Sequence, residues 1–329
     1  MEKIIRTVCI LTAGKGSRMG PFSSIINKSL LPIYDKAIIS HLINHFPKDT
    51  KFVIALGYKG YQIRNYLELM HDETNFKFIN VDNFEKEGSG PAYSLQCCKS
   101  ELQEPFFFIA SDGFYKRIPL DLNSNWLGVS NSNHNEKNYC NIGFNKETKI
   151  VCKIFDKILP PKNSEIEFKA FNGLMFIKDF NIFWDALNIN QNDNEQQISQ
   201  GFTQLINNSL LKTVELEWSD LGTLDNYSKN LNLDFDFSKL NEFIYFSEKK
   251  IVKFFYDETT TTKRVNKAKL NPKVFPKNIT QKGQFYSYDK VIGDIVYKHV
   301  NEKGMHNLLK WLSINLWEKK EVDQTKFMQ

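Results

Sequence analysis

Long apolar segments are missing from this sequence. No run approaches the ~20 consecutive apolar residues that a membrane-spanning helix requires. Residues 1–3 lead directly into a predicted strand, without the apolar leader that directs secretion. We therefore expect a soluble, cytoplasmic protein that does not insert into membranes.

Cysteine is scarce, with five among 329 residues. The number is odd and two of the cysteines are adjacent, which does not suit a simple disulfide framework, and the spacing does not suit a zinc site. We expect reduced thiols in or near the core, at Cys9, Cys97, Cys98, Cys140 and Cys152.

A large excess of one charge is also absent, because the formal net charge is only +5. No nucleic-acid recognition motif is present, so we expect no nucleic-acid partner. Aromatic residues, by contrast, are abundant, with 27 Phe and 13 Tyr, which excludes a globally disordered chain. The length suits one large domain and a smaller one.

The most distinctive stretch is Leu11–Gly20, which follows a short apolar run that predicts a buried strand. Gly14 and Gly16 allow backbone N–H groups to approach a phosphate without a Cβ atom in the way. Arg18 adds a forked donor for phosphate oxygens, and Lys28 adds a flexible point charge. A G-x-G triplet alone is often only a tight turn, and this stretch matches neither G-x-x-x-x-G-K-[ST] nor G-x-G-x-x-G.

Together with Asn27–Pro32, this stretch resembles the signature of the sugar-nucleotidyltransferase family, L-A-A-G-x-G-[ST]-R-[LM] followed after a short interval by P-K-x-L-[LV]-P. Asn27 stands where the family usually has proline, a departure that concerns backbone stiffness more than chemistry. The resemblance implies a nucleotidyltransferase fold in which Arg18 and Lys28 are catalytic. It also implies a nucleotide site formed by Leu11, Thr12, Ala13, Gly14, Lys15 and Gly16.

Strands and helices alternate after this loop. Apolar residues recur at helical spacing in residues 36–46 and 61–70, and apolar runs predict strands at residues 51–57, 76–81 and 106–110. The alternation predicts the α/β class, with a Rossmann-like, mostly parallel sheet flanked by helices. The ligand of such a sheet lies at the carboxyl ends of its strands.

A second glycine-rich turn, residues 88–90, precedes a predicted helix that runs through Ser100. In the resembled family, a loop at this place closes over the nucleotide base, which implies that Ser89 and Gly90 bind nucleotide. The structural alternative makes Ser89 the N-cap of the helix and places Pro91 in its first turn, and the two interpretations are compatible.

Two aspartates follow predicted strands far apart in the chain. Asp112 ends the apolar run that begins at Phe106, and a hard oxygen ligand at that edge of a sheet suits Mg²⁺, although an aspartate there is often only a turn residue. The resembled family has a second metal-binding aspartate in W-x-D-[IVTL]-G, and Trp218–Gly222 fits this pattern at Asp220. The resemblance thus implies that Asp112 and Asp220 are catalytic and hold one Mg²⁺ between them.

The resemblance also implies an acceptor site. Residues 150–157 resemble the E-K-P element of the family, whose lysine contacts the acceptor phosphate, with Asp156 in place of the glutamate. Residues 171–177 resemble N-x-G-I-Y-x-F, in which asparagine and glycine line the acceptor pocket. For the lysines, the alternative is ordinary surface charge. The candidates are Lys157, Asn172 and Gly173, with Lys153 as a weaker one.

We place a domain boundary at residue 230, because residues 230–236 are polar, lack a regular period and predict a linker. Residues 1–230 are then the nucleotidyltransferase domain. Residues 231–329 contain short strand-like runs and a helix from Met305 to Trp317. They loosely resemble the amino-terminal lobe of choline-kinase-like and aminoglycoside-phosphotransferase-like enzymes, in which a strand lysine such as Lys253 holds ATP phosphates. A small α+β, kinase N-lobe-like domain is the resulting prediction.

Such kinases also need a catalytic loop with an H-x-D or H-G-D element, and none follows Lys253. We therefore expect no kinase activity from this polypeptide. The segment is interpreted as an incomplete domain, either part of a longer bifunctional protein or a retained accessory lobe.

The motifs of residues 4–230, in the order of the family, imply an Mg²⁺-dependent nucleotidyltransferase. It would move NMP from an NTP, CTP or UTP, to a sugar 1-phosphate or a phosphocholine-type small alcohol phosphate and release pyrophosphate. The product would be an activated precursor for surface polysaccharide or glycan decoration. The alternative is a regulatory or scaffold module that binds nucleotide without turnover, and a homo-oligomer is compatible with either.

Overall fold

The protein is described from a computed structural model. The structure describes residues 6–85, 88–131, 136–158, 160, 165–187, 198–231, 239, 241–293, 296 and 300–317. Within these ranges, no helix has both the length and the apolar character needed to cross a bilayer.

The first third of the chain alternates strands with helices, as its apolar pattern predicts. Two three-residue 3₁₀ helices, at Ser17–Met19 and Lys28–Leu30, interrupt the loops that follow the first strand. The elements are β1 (Thr7–Leu11), α1 (Pro21–Ile25), β2 (Pro32–Ile33), β3 (Lys36–Ala37), α2 (Ile38–Ile43), β4 (Lys51–Leu56), α3 (Gly60–Met70), β5 (Asn75–Asn80), α4 (Pro91–Cys97), β6 (Phe106–Ala110) and β7 (Gly113–Tyr115).

The central strands of the sheet are parallel. β1 lies between β4 and β6 and pairs in parallel with both, and β5 extends this half of the sheet beyond β4. Both faces of these strands are covered, so β6 is an unbroken apolar run rather than an alternating one. Parallel pairing places the carboxyl ends of β1, β4 and β6 at one edge, which is where the predicted site residues follow.

The middle of the chain adds an antiparallel half to the same sheet. The long strand β11 pairs in antiparallel with β6 and β9 along one edge and with β8 along the other, so the nine-stranded sheet is mixed. The elements are β8 (Asn125–Ser130), β9 (Cys140–Asn145), β10 (Val151–Asp156), β11 (Ile166–Ile177), α5 (Phe180–Ala186), α6 (Ser199–Asn208), β12 (Leu211–Glu215), β13 (Trp218–Asp220) and α7 (Leu224–Asn230).

The last part of the described chain forms a four-stranded antiparallel sheet in the order β14-β15-β17-β16. Residues 241–293 are called the C-terminal lobe below. The predicted strand at residues 294–298 lies almost entirely outside the described residues. The elements are β14 (Glu242–Phe246), β15 (Lys250–Phe255), α8 (Glu258–Leu270), β16 (Thr280–Lys282), β17 (Phe285–Asp289) and α9 (Glu302–Asn315).

The C-terminal lobe shares a hydrophobic core with the large sheet. Tyr245 and Phe285 belong to the same buried cluster as Ile10 in β1, and the rings of Tyr66 in α3 and Tyr245 lie 4.8 Å apart. The division into domains at residue 230 stays a prediction, as does the kinase-like assignment of the lobe. The packing between the two parts is nevertheless continuous.

Some predicted element ends were wrong. The sequence of residues 202–211 also predicts a helix, but the helix ends at Asn208, because Leu211 begins β12 and pairs with Asn125 in β8. The helix expected from residue 36 begins at Ile38, since Lys36 and Ala37 pair with β2. In both cases a tertiary pairing overrides the local apolar period.

All five cysteines are free thiols, as expected. Cys9 and Cys98 are buried, whereas Cys152 is exposed.

Candidate active site

An ion pair between Lys28 and Asp112 lies at the carboxyl edge of the parallel strands. The Nζ atom of Lys28 is 2.6 Å from Oδ2 of Asp112, and the two side chains are only 17% and 26% exposed. β6 delivers Asp112 to this edge, and the short 3₁₀ helix at residues 28–30 presents Lys28. The two predicted catalytic residues are therefore in contact.

Glycine is required at one position of the predicted phosphate loop. Gly16 has a φ of 66°, and a Cβ atom on it would lie 3.1 Å from Cδ of Lys28. Any larger residue would strain the backbone and displace the lysine stem. At Gly14, by contrast, a Cβ atom would have no described heavy atom within 4 Å, so this part of the loop borders open space.

The second predicted metal ligand, Asp220, lies beside the first. β13 pairs with β7 so that Asp220 is opposite Gly113, and the N–H of Leu221 donates to the carbonyl oxygen of Asp112 at 2.8 Å. This short pairing brings together two aspartates that are far apart in the sequence.

Gly222 marks the point where the charges converge. A Cβ atom on Gly222 would lie 3.0 Å from Oδ1 of Asp220, 3.2 Å from Oδ2 of Asp112 and 3.6 Å from Nη2 of Arg18. The structure therefore brings all four predicted catalytic residues to one place, since Lys28 is already paired with Asp112.

Asp220 is held by two residues that the sequence did not indicate. Its Oδ2 atom accepts hydrogen bonds from the hydroxyl of Tyr139 at 2.9 Å and from Nδ2 of Asn226 at 3.2 Å. Its Oδ1 atom accepts from the N–H of Gly222 at 2.7 Å. Asn226 lies in α7, two residues beyond the start of that helix, but Tyr139 belongs to no predicted motif.

The electrostatics favour an ionised carboxylate at Asp112. Burial by itself raises the pKa of this carboxyl. The Lys28 ammonium and, to a lesser extent, the Arg18 guanidinium lower it by more than burial raises it, so the net pKa is below its usual value. The pKa of Tyr139 is raised, first by burial and then by the neighbouring charge of Asp220, so its hydroxyl stays a proton donor at neutral pH.

The donor set of this site fits Mg²⁺. Among the described residues, no group of three or more His, Cys, Asp and Glu side chains is placed to hold a metal. Mg²⁺ needs fewer protein ligands, because it is commonly bound by one or two carboxylates together with substrate phosphates. Asp112 and Asp220 supply such a pair, and each retains acceptor capacity beyond the hydrogen bonds described above.

The predicted nucleotide residues fall into two groups. Thr12 and Ala13 are buried and support the loop, and the Thr12 hydroxyl donates to the carbonyl oxygen of Ala55 at 2.7 Å. Lys15 is exposed and pairs with Glu85 at 3.3 Å. Of the predicted residues, Gly14, Lys15 and Arg18 are exposed, while Leu11 and Gly16 are half-buried.

The structural alternative for residue 89 was wrong. The N-cap of α4 is Gly90, with no side-chain cap, and Pro91 occupies the first turn as expected. The nucleotide-binding roles of Ser89 and Gly90 stay predictions.

The predicted acceptor residues surround a small cavity of about 200 Å³. Lys157 and Gly173 line it, and Gly173 needs its φ of 82° and its missing Cβ atom because that atom would lie 2.7 Å from Cβ of Ala110. Asn172 does not line the cavity. Its side chain is buried and donates to the Ser130 hydroxyl at 3.1 Å, so it supports the wall from behind.

Aromatic and apolar side chains form most of the cavity wall. A single carboxylate, Asp156, is present among the described lining residues, and it accepts a hydrogen bond from the Ser199 hydroxyl at 2.7 Å. The apolar part of the small cavity consists of Pro91, Phe108, Ala110, Tyr139, Phe171, Ile198 and Phe202.

Another, more open cleft of about 450 Å³ lies beside α3 and is lined by none of the predicted site residues.

A protein-family model matches the part of the chain that forms this edge of the sheet. Residues 8–115 match the model of the MobA-like NTP transferase domain and include the glycine-rich loop, Lys28 and Asp112. The bifunctional protein GlmU of Methanococcus maripaludis is 24% identical over 217 residues, covering 65% of this chain and 50% of that protein. The chain thus spans about half the length of the curated relatives it matches.

Solved structures share the fold over about two thirds of the chain. A UTP-bound UGPase from Acinetobacter baumannii aligns with a TM-score of 0.57 at 15% identity, covering 69% of this chain and 92% of that one. The CTP:phosphocholine cytidylyltransferase of Streptococcus pneumoniae aligns with a TM-score of 0.52 at 20% identity, covering 68% and 97%. Residues 8–115 thus match the MobA-like NTP transferase domain, and the chain shares the fold of these solved nucleotidyltransferases.

Proposed function

We propose that this protein is an Mg²⁺-dependent nucleotidyltransferase that transfers NMP from an NTP to a phosphorylated small molecule. The convergence of Asp112, Asp220, Arg18 and Lys28 around Gly222 is the observation that supports this proposal. Two carboxylates and two cations are groups that suit a reaction between two anionic phosphates.

The reaction needs no protein nucleophile. An oxygen of the acceptor phosphate attacks the α-phosphorus of the NTP, the bond between that phosphorus and the bridging oxygen breaks, and pyrophosphate leaves. The acceptor phosphate is already an anion at neutral pH, so the protein mainly positions the reactants and stabilises charge.

Each charged residue has a role in this scheme. Lys28 neutralises charge at the α-phosphate and the acceptor phosphate, and Arg18 neutralises the departing β- and γ-phosphates. Asp112 and Asp220 would hold Mg²⁺, which supplies charge neutralisation at the phosphate oxygens when bound. Tyr139 and Asn226 keep Asp220 oriented through their hydrogen bonds.

The small cavity favours a compact, cationic acceptor over a sugar. Its volume of about 200 Å³ is below the roughly 300–1,000 Å³ of usual ligand sites. Aromatic walls with one carboxylate suit a quaternary ammonium group. Phosphocholine-type alcohol phosphates are therefore the proposed acceptors, with Lys157 holding the phosphate and Asp156 facing the ammonium. A sugar 1-phosphate is the second candidate.

CTP or UTP is the proposed nucleotide, because the names of similar solved proteins include both. An enzyme that consumes NTP acts where NTP is available, so the proposal places the protein in the cytoplasm. Its product would be an activated headgroup or sugar for glycan decoration.

Pyrophosphate release with Mg²⁺ tests the activity directly. CTP, UTP, GTP, ATP and dTTP are each combined with phosphocholine, phosphoethanolamine and several sugar 1-phosphates. We expect release with one pair and none when the acceptor is omitted. Asp112→Asn should abolish that release, while Asp225→Asn, an exposed aspartate in the first turn of α7, should keep it. Nucleotide binding without release for any pair would instead support the module without turnover.

The acceptor assignment has its own test. Asp156→Asn should lower kcat/KM for phosphocholine about tenfold, because the ammonium loses its counter-charge. Asp185→Asn, on the exposed side of α5, serves as the control. A preference for a sugar 1-phosphate that Asp156→Asn leaves unchanged would contradict the assignment.

A further inference from the structure

The loop that carries Lys28 is held from the side opposite the reacting groups. Residues 26–37, called the Lys28 segment below, connect the phosphate loop to α2. Within it, the 3₁₀ helix at residues 28–30 sets the direction of the lysine stem. A shift of this short helix would change the distance between Lys28 and Asp112, which is 2.6 Å here.

Two residues of the C-terminal lobe donate to backbone carbonyls of this segment. The hydroxyl of Tyr245 donates to the carbonyl oxygen of Leu30 at 2.8 Å, and the N–H of Phe246 donates to the carbonyl oxygen of Asp35 at 2.7 Å. Tyr245 and Leu30 are both completely buried. Leu30 ends the 3₁₀ helix, so Tyr245 satisfies a carbonyl that the helix itself leaves without a donor.

A second connection passes through α3. Oε1 of Gln62 accepts from the N–H of Asn27 at 2.9 Å, while Nε2 of Gln62 donates to Oε1 of Gln284 at 2.9 Å. Nε2 of Gln284 in turn donates to the carbonyl oxygen of Tyr256. The residue directly before Lys28 is thus linked through one buried glutamine to the C-terminal lobe.

Asn27 explains why this link exists. Proline, the usual residue of the resembled family at this position, has no N–H and could not bond to Gln62. Asn27 also donates to the carbonyl oxygens of Thr12 at 3.0 Å and Tyr58 at 2.7 Å, and its Oδ1 atom accepts from the N–H of Ser29. Hydrogen bonds therefore replace the stiffness of proline, and part of this network belongs to the C-terminal lobe.

We propose that the C-terminal lobe is a positioning element of the transferase site, with Tyr245 and Gln284 as positioning residues that hold the Lys28 segment. This inference rests on the proposed function. It assigns to residues 241–293 a role in nucleotidyl transfer, independent of any kinase-like activity.

The test uses single substitutions in the full chain. Tyr245→Phe removes only the hydroxyl that reaches Leu30, and Gln284→Leu removes the partner of Gln62. We expect each to lower kcat about fivefold to tenfold, with the KM for nucleotide changed less than twofold, because a small misplacement of a catalytic group mainly affects the transition state. Tyr288→Phe, in the same sheet, is the matched control and should keep the wild-type kcat.

Hydrogen exchange distinguishes positioning from general destabilisation. Amides of residues 28–33 should exchange faster in Tyr245→Phe, whereas amides of β6 should keep their wild-type protection. Unchanged kcat and unchanged exchange at residues 28–33 would overturn the proposal, and so would faster exchange in both regions together with a lower kcat. If the wild type releases no pyrophosphate with any substrate pair, the proposed function fails, and the exchange comparison still decides whether Tyr245 holds the segment.

Discussion

Replacing Lys28 by alanine separates the role of this residue in catalysis from its role in the fold. The ammonium lies 2.6 Å from Oδ2 of Asp112. That oxygen lies 3.2 Å from the position that a Cβ atom on Gly222 would occupy, and side-chain atoms of Asp220 and Arg18 lie close to the same position. The lysine therefore lies beside the position at which the proposed function places the reacting phosphates. Its charge is fixed before the reaction begins.

The expected loss follows from that placement. Removing one preorganised donor to a developing anion costs roughly 2.7–4 kcal/mol of transition-state stabilisation, which is about 100-fold or more in kcat. The KM for nucleotide should change little, because Arg18 and the backbone around Gly14 remain. Lys48→Ala, an exposed lysine between α2 and β4, is the matched control.

The pH dependence supplies an independent readout. Lys28 is the main reason that the pKa of Asp112 lies below its usual value, while burial acts in the opposite direction. In Lys28→Ala the pKa of Asp112 should therefore rise, and the acidic limb of the pH–rate profile should move to higher pH. A folded Lys28→Ala protein whose kcat falls less than about tenfold would refute the reasoning, since about tenfold is the smallest loss compatible with a cation at the reacting phosphates.

Three further predictions concern the metal pair, the acceptor and acid stability. Gly222→Ala should raise the Mg²⁺ concentration needed for half-maximal turnover and leave the melting temperature nearly unchanged, because the added Cβ atom contacts the two carboxylates. Lys157→Ala should raise the KM for the acceptor and not that for nucleotide, whereas Lys153→Ala, which is exposed in β10 and does not line the small cavity, should change neither. Burial lowers the pKa of His71 to about 4, so the unfolded chain binds the extra proton first and stability should fall as the pH drops from about 6.5 to about 4. His71→Asn should reduce this dependence in urea unfolding measured across that range.

The parts of the site that follow strands directly could be predicted from the sequence. Lys28 and Asp112 lie close to the glycine-rich loop and to an apolar strand, and their positions follow from the fold once the sheet is parallel. Asp220 also required the motif around Trp218. In each case a local pattern carries the information.

Contacts made by packing could not be predicted in this way. Tyr139 reaches Asp220 across 81 positions, and Gln62 reaches Gln284 across 222 positions. Neither residue type has a distinctive spacing, so no local signal identifies them. The missed helix α8 has a related cause: four consecutive threonines follow its first residue, Glu258, and these β-branched residues favour strands.

The shared core also constrains how the chain folds. β14, β15 and β17 are synthesised long after β1, yet Phe243, Tyr245 and Phe285 complete the same buried cluster as Val8 and Ile10. During translation, part of this apolar cluster stays uncovered until these three aromatic residues have been synthesised. Contacts of such long sequence separation slow folding and prolong exposure to aggregation. Slow folding is thus an expected consequence of the same packing that supports Lys28.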